Sequence, residues 1–306
     1  MLGLARQTAE AFEAKFGYAP TGVWSAPGRV NIIGEHTDYN EGFVLPIAIN
    51  RATYAAIALR EDHTARVGST FTDEVIELEL SKLGEATGWA AYPLGVAHVL
   101  PASTGFDLFI DSDVPVGAGL SSSAAIECAV ALGLDELFGL GNDRRALARV
   151  GQRAENEVVG APTGIMDQSA SLLGRADHAV FLDCQSLAVE NIELGFAAAG
   201  LEIVIIDTRV AHRLNDGGYA TRRAACEAAA EAFEVPSLRH LTLHALEANR
   251  DRLDDVTYRR ACHVVTENQR VLDFVAALKR ADFARCGRLM VESHASMRDD
   301  FEISVD

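Results

Sequence analysis

Residues 115–125 read PVGAGLSSSAA, and the chain on either side takes its meaning from them. Upstream, Phe106 to Ile110 has the make-up of a strand; downstream, Ile126, Val130, Leu134 and Leu137 recur at helical spacing until Gly139, which follows Phe138 as a stop signal. Gly117 and Gly119 let the backbone turn sharply and come close to a ligand. Ser121, Ser122 and Ser123 bring hydroxyls and backbone N–H groups to a helix start, where anions are favoured. A strand, a glycine turn and a serine-rich helix start together make a candidate phosphate cradle. The alternative is an ordinary serine-capped helix after a tight turn. Two other phosphate loops are excluded: there is no Gly-Lys-Ser/Thr ending, and Ser122 stands where a dinucleotide fingerprint has its third glycine.

A second stretch, WSAPGRVNIIGEHTDYN at 24–40, begins as a strand and then packs Arg29, Glu35, His36 and Asp38 into ten positions. Apolar residues flank it, Val30, Ile32 and Ile33 within it and Phe43 to Pro46 after it, so the charges are expected to lie partly inside the protein, where they need partners. Carboxylates and an imidazole accept and donate hydrogen bonds in the pattern that a polyhydroxyl ligand such as a sugar presents. A structural ion-pair network is the competing reading. A zinc site is disfavoured by the single histidine.

The chain has 306 residues, 49% of them hydrophobic and 23% charged, as expected of a globular protein of two domains or one large one. Its 44 acidic and 27 basic residues leave a formal charge of −17, which opposes binding to nucleic acid or an anionic membrane. A local positive pocket for a small phosphate ligand remains compatible with that charge. Five scattered cysteines, none in a Cys-x-x-Cys pair, suggest neither zinc nor disulfides. The N-terminus lacks a signal-peptide core and no apolar run has membrane-spanning length, so a cytoplasmic protein is expected.

In chain order, helices are expected over Thr8 to Phe16, Trp89 to Leu100 and Asp143 to Val158, the last with Asp143 as its cap. Strands are expected at Arg51 to Leu59, Val75 to Leu80, Ala179 to Asp183 and Leu201 to Ile206. Trp89 and Tyr92 read as core residues in preference to an adenine platform. Gly160 and Gly164 with Pro162 break the helical pattern before Asp167, a carboxylate placed to cap the next helix. His212 and Tyr219 precede an alanine-rich helix from about Ala220 to Phe233, the pattern is helical from Thr242 to Met297, and Phe301 to Asp306 looks like a strand entrance. A domain boundary is expected near 175–200, which gives units of 1–180 and 181–306.

Three stretches together resemble the GHMP family of small-molecule kinases and, within it, the galactokinases: SAPGRVNIIGEHTDYNEGFVLP at 25–46, PVGAGLSSSAA at 115–125 and GIMDQ at 164–168. WAAYPLGV near 89, IIDTRVAHRLNDGGYATRR at 205–223 and the segments between 259 and 304 extend the similarity over essentially the whole chain. Val116 in the loop and the Gly217-Gly218 pair are small departures. The resemblance implies an α+β, two-domain architecture with the active site in the interdomain cleft, and an enzyme that transfers phosphate from ATP, with Mg²⁺, to the C1 hydroxyl of α-D-galactose. It implies that Glu35, His36 and Asp38 hold sugar hydroxyls, with Gly164 and Tyr219 completing that pocket. Asp167 is implied as the base and Arg29 as the group that stabilises charge beside it. Pro115, Gly117, Ala118, Gly119, Leu120, Ser121, Ser122, Ser123 and Ala124 would cradle the nucleotide, and Ser121 with Glu155 would hold the metal.

Galactokinases continue past a segment like FEIS into a GGGFGG-type motif, whereas this sequence stops at Asp306, which implies an incomplete C-terminal domain. Competing readings are a kinase for another sugar such as N-acetylgalactosamine, a galactose and ATP sensor without turnover, and an inactive fragment. Those sensors resemble galactokinases with a shortened serine-alanine segment; Ser123-Ala124 is present here. The expected partners are galactose and ATP only, for a monomer or weak homodimer.

Overall fold

The computed structural model describes residues 2–207 and 218–304. In chain order the elements are α1 (Leu2–Phe16), β1 (Gly22–Asn31), β2 (Phe43–Val44), β3 (Pro46–Leu59), β4 (Thr64–Ser69), β5 (Thr72–Glu79), α2 (Ala91–Val99), β6 (Phe106–Ser112), α3 (Ser122–Phe138), α4 (Arg144–Ala154), α5 (Met166–Leu173), β7 (His178–Asp183), β8 (Ala188–Glu193), α6 (Gly218–Ala232), α7 (Leu243–Ala248), α8 (Asp255–Leu278) and α9 (Phe283–Asp299). The mixture is α+β, as the sequence resemblance implied.

The chain divides into two compact units whose boundaries differ from 180/181. The first holds residues up to Val30 together with Ala48–Leu173; the second holds Asn31–Ile47, Gly174–Asp207 and the described residues from Gly218 onward. The correction has a physical reason. Residues 31–47 hydrogen-bond to α8, through Gly34 N–H on Glu267 and Phe43 N–H on Asn268, so an N-terminal stretch belongs to the C-terminal unit.

The first unit is built on a five-stranded sheet in the order β1-β3-β6-β4-β5, with β3 and β6 antiparallel and β4 and β6 parallel. β3 is buried along most of its length because both of its faces are covered. Ala56 and Ala58 meet Phe109 and Phe12 of α1 on one side, while Ala55 and Ile57 join Leu108, Ile110 and the α2 and α3 residues Leu94, Val130 and Leu134 on the other. Trp89 packs against this second cluster. α3 ends where expected, on Gly139 at φ 64°, and α4 starts on Asp143, whose side chain accepts the Ala146 N–H.

Among its described residues the second unit has a three-stranded antiparallel sheet, β2-β7-β8, and the four α-helices α6 to α9. Cys226, Ala229 and Ala230 of α6, Leu246 of α7, and Ala261, Val264 and Val265 of α8 close a core around Phe301. α8 is capped by Asp254, which accepts from the Val256 and Thr257 N–H groups.

Two strand expectations fail. Leu201 to Ile206 forms no strand: Leu201, Ile203, Val204, Ile205 and Ile206 are 43–80% exposed, and no described strand pairs with the segment. β-branched composition favours a strand only when a neighbour supplies the ladder and a covered face. At 301–304 there is likewise no strand, because Phe301 is drawn into the core at 0% exposure. His212 lies outside the described residues. No helix among the described residues is long and apolar enough to cross a membrane.

Candidate active site

In the first unit, Asp167 is the second residue of α5, yet its carboxylate does not serve as a cap. Both oxygens are held by a guanidinium: Arg29 Nε donates to Oδ1 at 2.8 Å and Nη2 donates to Oδ2 at 2.9 Å. Arg29 Nη1 also donates to the Gly119 carbonyl at 2.7 Å. Arg29 reaches this position because its own N–H is bonded to the Leu120 carbonyl at 3.1 Å. Gly28 makes that approach possible, since a Cβ there would stand 2.5 Å from the Leu120 oxygen.

The cradle of residues 115–121 turns through Gly117 and Gly119 at φ 76° and 71°. Ser121 occupies the cap position of α3, but its side chain makes no cap hydrogen bond. Its backbone is left-handed, φ 55° and ψ 49°, a conformation that costs a non-glycine residue about 1–2 kcal/mol. The hydroxyl instead donates to Asp167 Oδ2 at 2.6 Å. Both capping alternatives thus give way to one cluster of Arg29, Asp167 and Ser121. Arg29 and Asp167 keep 16% and 26% of their side-chain surface exposed, so a bidentate pair of this kind stays open to a ligand.

Behind this cluster α4 does not run on to Val158 as an α-helix. It loosens into a π turn at Glu155–Val159, a form that recurs at functional sites. Glu155 is 2% exposed, and its Oε2 accepts from Thr163 Oγ1 at 2.8 Å and from Gln168 Nε2 at 3.1 Å. Burial, reinforced by the charge of Asp167, pushes the Glu155 carboxyl up from the ordinary range. Glu127 on α3, 0% exposed, accepts from the same Gln168 Nε2 at 2.8 Å, and burial followed by the charge of Glu155 pushes its carboxyl well above the ordinary range. The sequence reading found Glu155 and missed Glu127 and Gln168. The available signal was an acid inside the apolar run of α3.

No group of three or more His, Cys, Asp or Glu side chains among the described residues is arranged to hold a metal ion. A nucleotide-bound Mg²⁺ needs only one or two protein oxygens and takes the rest from phosphate and water. The Ser121 hydroxyl keeps a lone pair after donating to Asp167, and Glu155 is a buried carboxyl next to further acids that a cation would relieve, so the donor set fits.

In the second unit, Gly34 to Phe43 is a compact turn region fixed by its own side chains and by α8. Thr37 Oγ1 donates to the Gly34 and Phe43 carbonyls at 2.8 and 2.6 Å, and Asn40 Nδ2 donates to the His36 carbonyl at 2.9 Å. Glu35 accepts from Asn31 Nδ2 at 3.0 Å, and its carbonyl lies 3.0 Å from His263 Nε2. Glu267, 0% exposed, accepts the Gly34 N–H at 2.9 Å, Ser293 Oγ at 2.6 Å and Arg270 Nε at 2.6 Å. His263, Glu267 and Asn268 are polar residues on the inward face of α8. Sequence reading assigned them no role, and their helical spacing toward a buried side was the signal.

His36 has φ 62° and packs its ring 5.4 Å from Tyr219 and 4.7 Å from Phe301, with Nδ1 2.9 Å from Tyr39 Oη. Burial, then the charges of His263 and Arg222, lowers its pKa to about 3, so the imidazole is neutral near pH 7. Asp38 opens the 3₁₀ turn Asp38–Asn40. Glu35, His36, Asp38 and Tyr219 therefore share the second unit, whereas Gly164 lies in the first, three residues before Asp167.

Residues 10–59 match the galactokinase galactose-binding signature, and residues 89–175 match the N-terminal domain of GHMP kinases. A galactokinase of Streptomyces coelicolor is 46% identical over 310 residues, covering 98% of this chain and 80% of that protein. The crystal structure of Lactococcus lactis galactokinase complexed with galactose superposes with a TM-score of 0.88 at 32% identity, covering 99% of this chain and 81% of the other. A Streptococcus pneumoniae phosphomevalonate kinase, at 12% identity and a TM-score of 0.56 over 90% of this chain and 79% of its own, shares the fold alone. On these grounds the chain belongs to the galactokinase family of GHMP kinases.

Proposed function

We propose that this enzyme transfers the γ-phosphoryl group of ATP to the C1 hydroxyl of α-D-galactose, giving galactose 1-phosphate and ADP. The observation that carries the reading is the cluster of Arg29, Asp167 and Ser121, in which the carboxylate of GIMDQ is tied to the glycine-serine cradle. Phosphoryl transfer through a loose transition state needs positioning and charge neutralisation more than covalent assistance. Asp167 receives the proton of the C1 hydroxyl, a role worth about 10² to 10⁴ in rate. Arg29 holds that carboxylate by two hydrogen bonds, which fixes the plane of the acceptor oxygens and offsets negative charge as it develops. Glu35, His36, Asp38, Gly164 and Tyr219 hold the sugar. His36, neutral, serves as a hydrogen-bonding partner instead of a cation.

Pro115 and residues Gly117 to Ala124 cradle the nucleotide phosphates, helped by the N–H groups at the start of α3. Ser121 and Glu155 would hold Mg²⁺, which when bound neutralises phosphate charge as a Lewis acid. Phosphorus NMR of the purified chain with Mg-ATP and galactose, with glucose as control, tests the reading. A galactose-dependent sugar 1-phosphate signal with ADP is the expected result, and no such signal overturns it.

A further inference from the structure

Behind Asp167 lies an arrangement in which only Glu155, the proposed metal ligand, has a part in the reading given above. Gln168, the next residue on α5, is 0% exposed and directs its amide nitrogen to two buried carboxyls, Glu127 Oε2 at 2.8 Å and Glu155 Oε2 at 3.1 Å. Three segments meet on this one amide: α3, which starts at the phosphate cradle; the π turn after α4; and α5, which carries Asp167. α4 makes room for the meeting. A Cβ at Gly151 would lie 2.9 Å from Gln168 Cγ and 3.3 Å from Glu127 Oε2.

Burying two carboxyls in a protein interior costs stability unless each is hydrogen-bonded. Glu127 Oε1 and Gln168 Oε1 have no hydrogen-bond partner in the structure, so the site is costly as well as specific. A leucine at 127 would suit the apolar run of α3 better. We propose that Glu127 is a positioning residue: through the Gln168 amide it fixes the start of α5, and so the placement of the Asp167 carboxylate against Arg29 and the cradle. The inference rests on the kinase reading given above, and its test separates the two.

Glu127→Leu and Glu127→Gln are compared with the parent chain. Misplacing a reacting group by about 1 Å costs up to about 10²-fold, so Glu127→Leu is expected to lower kcat about ten- to a hundredfold with KM for galactose and ATP nearly unchanged. Glu127→Gln keeps an acceptor for the Gln168 amide and is expected to restore most of kcat. A folded Glu127→Leu protein with parental kcat, or a Glu127→Gln protein as impaired as the leucine variant, overturns the proposal. If Glu127→Leu does not fold, Gly151→Ala decides, since its methyl group would press on Gln168 Cγ and on Glu127 Oε2 and so disturb the contact between them while both side chains are kept. Reduced kcat at constant KM supports the proposal and unchanged kcat overturns it. The arginine Nε–H resonance of Arg29, read by ¹H–¹⁵N NMR, reports the Asp167 contact without turnover. A shift in Glu127→Leu that is absent in Glu127→Gln is expected even if the parent makes no galactose 1-phosphate, an outcome that removes the kinase reading alone; no shift in either overturns the inference.

Discussion

Two arginine–carboxylate pairs built from the same groups behave as opposites. Arg29 and Asp167 form a two-bond pair in which the carboxylate keeps 26% of its side-chain surface exposed and also accepts a serine from a turn. Arg270 and Glu267 form a pair in which the carboxylate is fully enclosed and its remaining capacity is filled by Ser293 and the Gly34 N–H. The first keeps part of its surface exposed; the second has every carboxylate oxygen engaged. Exposure separates a carboxylate that a ligand can reach, as the proposed function requires of Asp167, from one that fastens the 31–47 segment to α8.

The sharpest way to break the comparison is Asp167→Asn. Turnover is expected to fall by about 10² to 10⁴, with the urea midpoint within error of the parent. A variant that unfolds more easily but still turns over would reverse the roles assigned to the two pairs. Glu267→Ala is expected to do the opposite, costing about 3–5 kcal/mol in urea unfolding because Arg270 is left without its partner. Stability within about 1 kcal/mol of the parent would show that the enclosed pair is not a fastening.

Arg29→Lys tests the geometry of the open pair, because it keeps the charge and loses the planar fork. The loss of one charge-assisted hydrogen bond, about 1.5–3 kcal/mol, predicts a kcat about ten- to a hundredfold lower. A variant with parental kcat would reduce Arg29 to a point charge.

The smallest effect concerns His36, which is neutral and lies two residues after Gly34, whose N–H the enclosed pair accepts. Its folded pKa of about 3 lies below its unfolded value of 6.5, so between these limits the unfolded chain binds the extra proton. Stability therefore falls as pH drops from about 6.5 toward 3, by at most about 1.4 kcal/mol per pH unit for this group. Urea unfolding at pH 7 and pH 5 should show that slope, and His36→Asn should flatten it.

Local pattern carried far in this protein. The strand at 106, the left-handed glycines of the cradle, the start and stop of α3 and the cap at Asp143 are each short-range steric or hydrogen-bonding facts, and each is observed. Arg29, Asp167 and Ser121 were all singled out, and the structure brings them onto one carboxylate. Leu201 to Ile206 was misread for the converse reason: a strand is a property of two chains of hydrogen bonds, and composition describes only one of them. Ser121 was weighed as a cap because a serine before a helix is locally sufficient for one; its hydroxyl turned elsewhere because a carboxylate 46 residues away offers a stronger acceptor.

The sequence by itself implied the α+β class through its family resemblance, and it determined the glycine turn before α3 and the charged groups of the two motifs, since these follow from backbone sterics and residue chemistry within a dozen positions. Tertiary structure alone decided that residues 31–47 belong with α8, that Gln168 joins Glu127 to Glu155, and that Phe301 is core. Those outcomes depend on burial and on hydrogen bonds between residues up to 233 positions apart, and the energy of such contacts exists only once the intervening chain has folded.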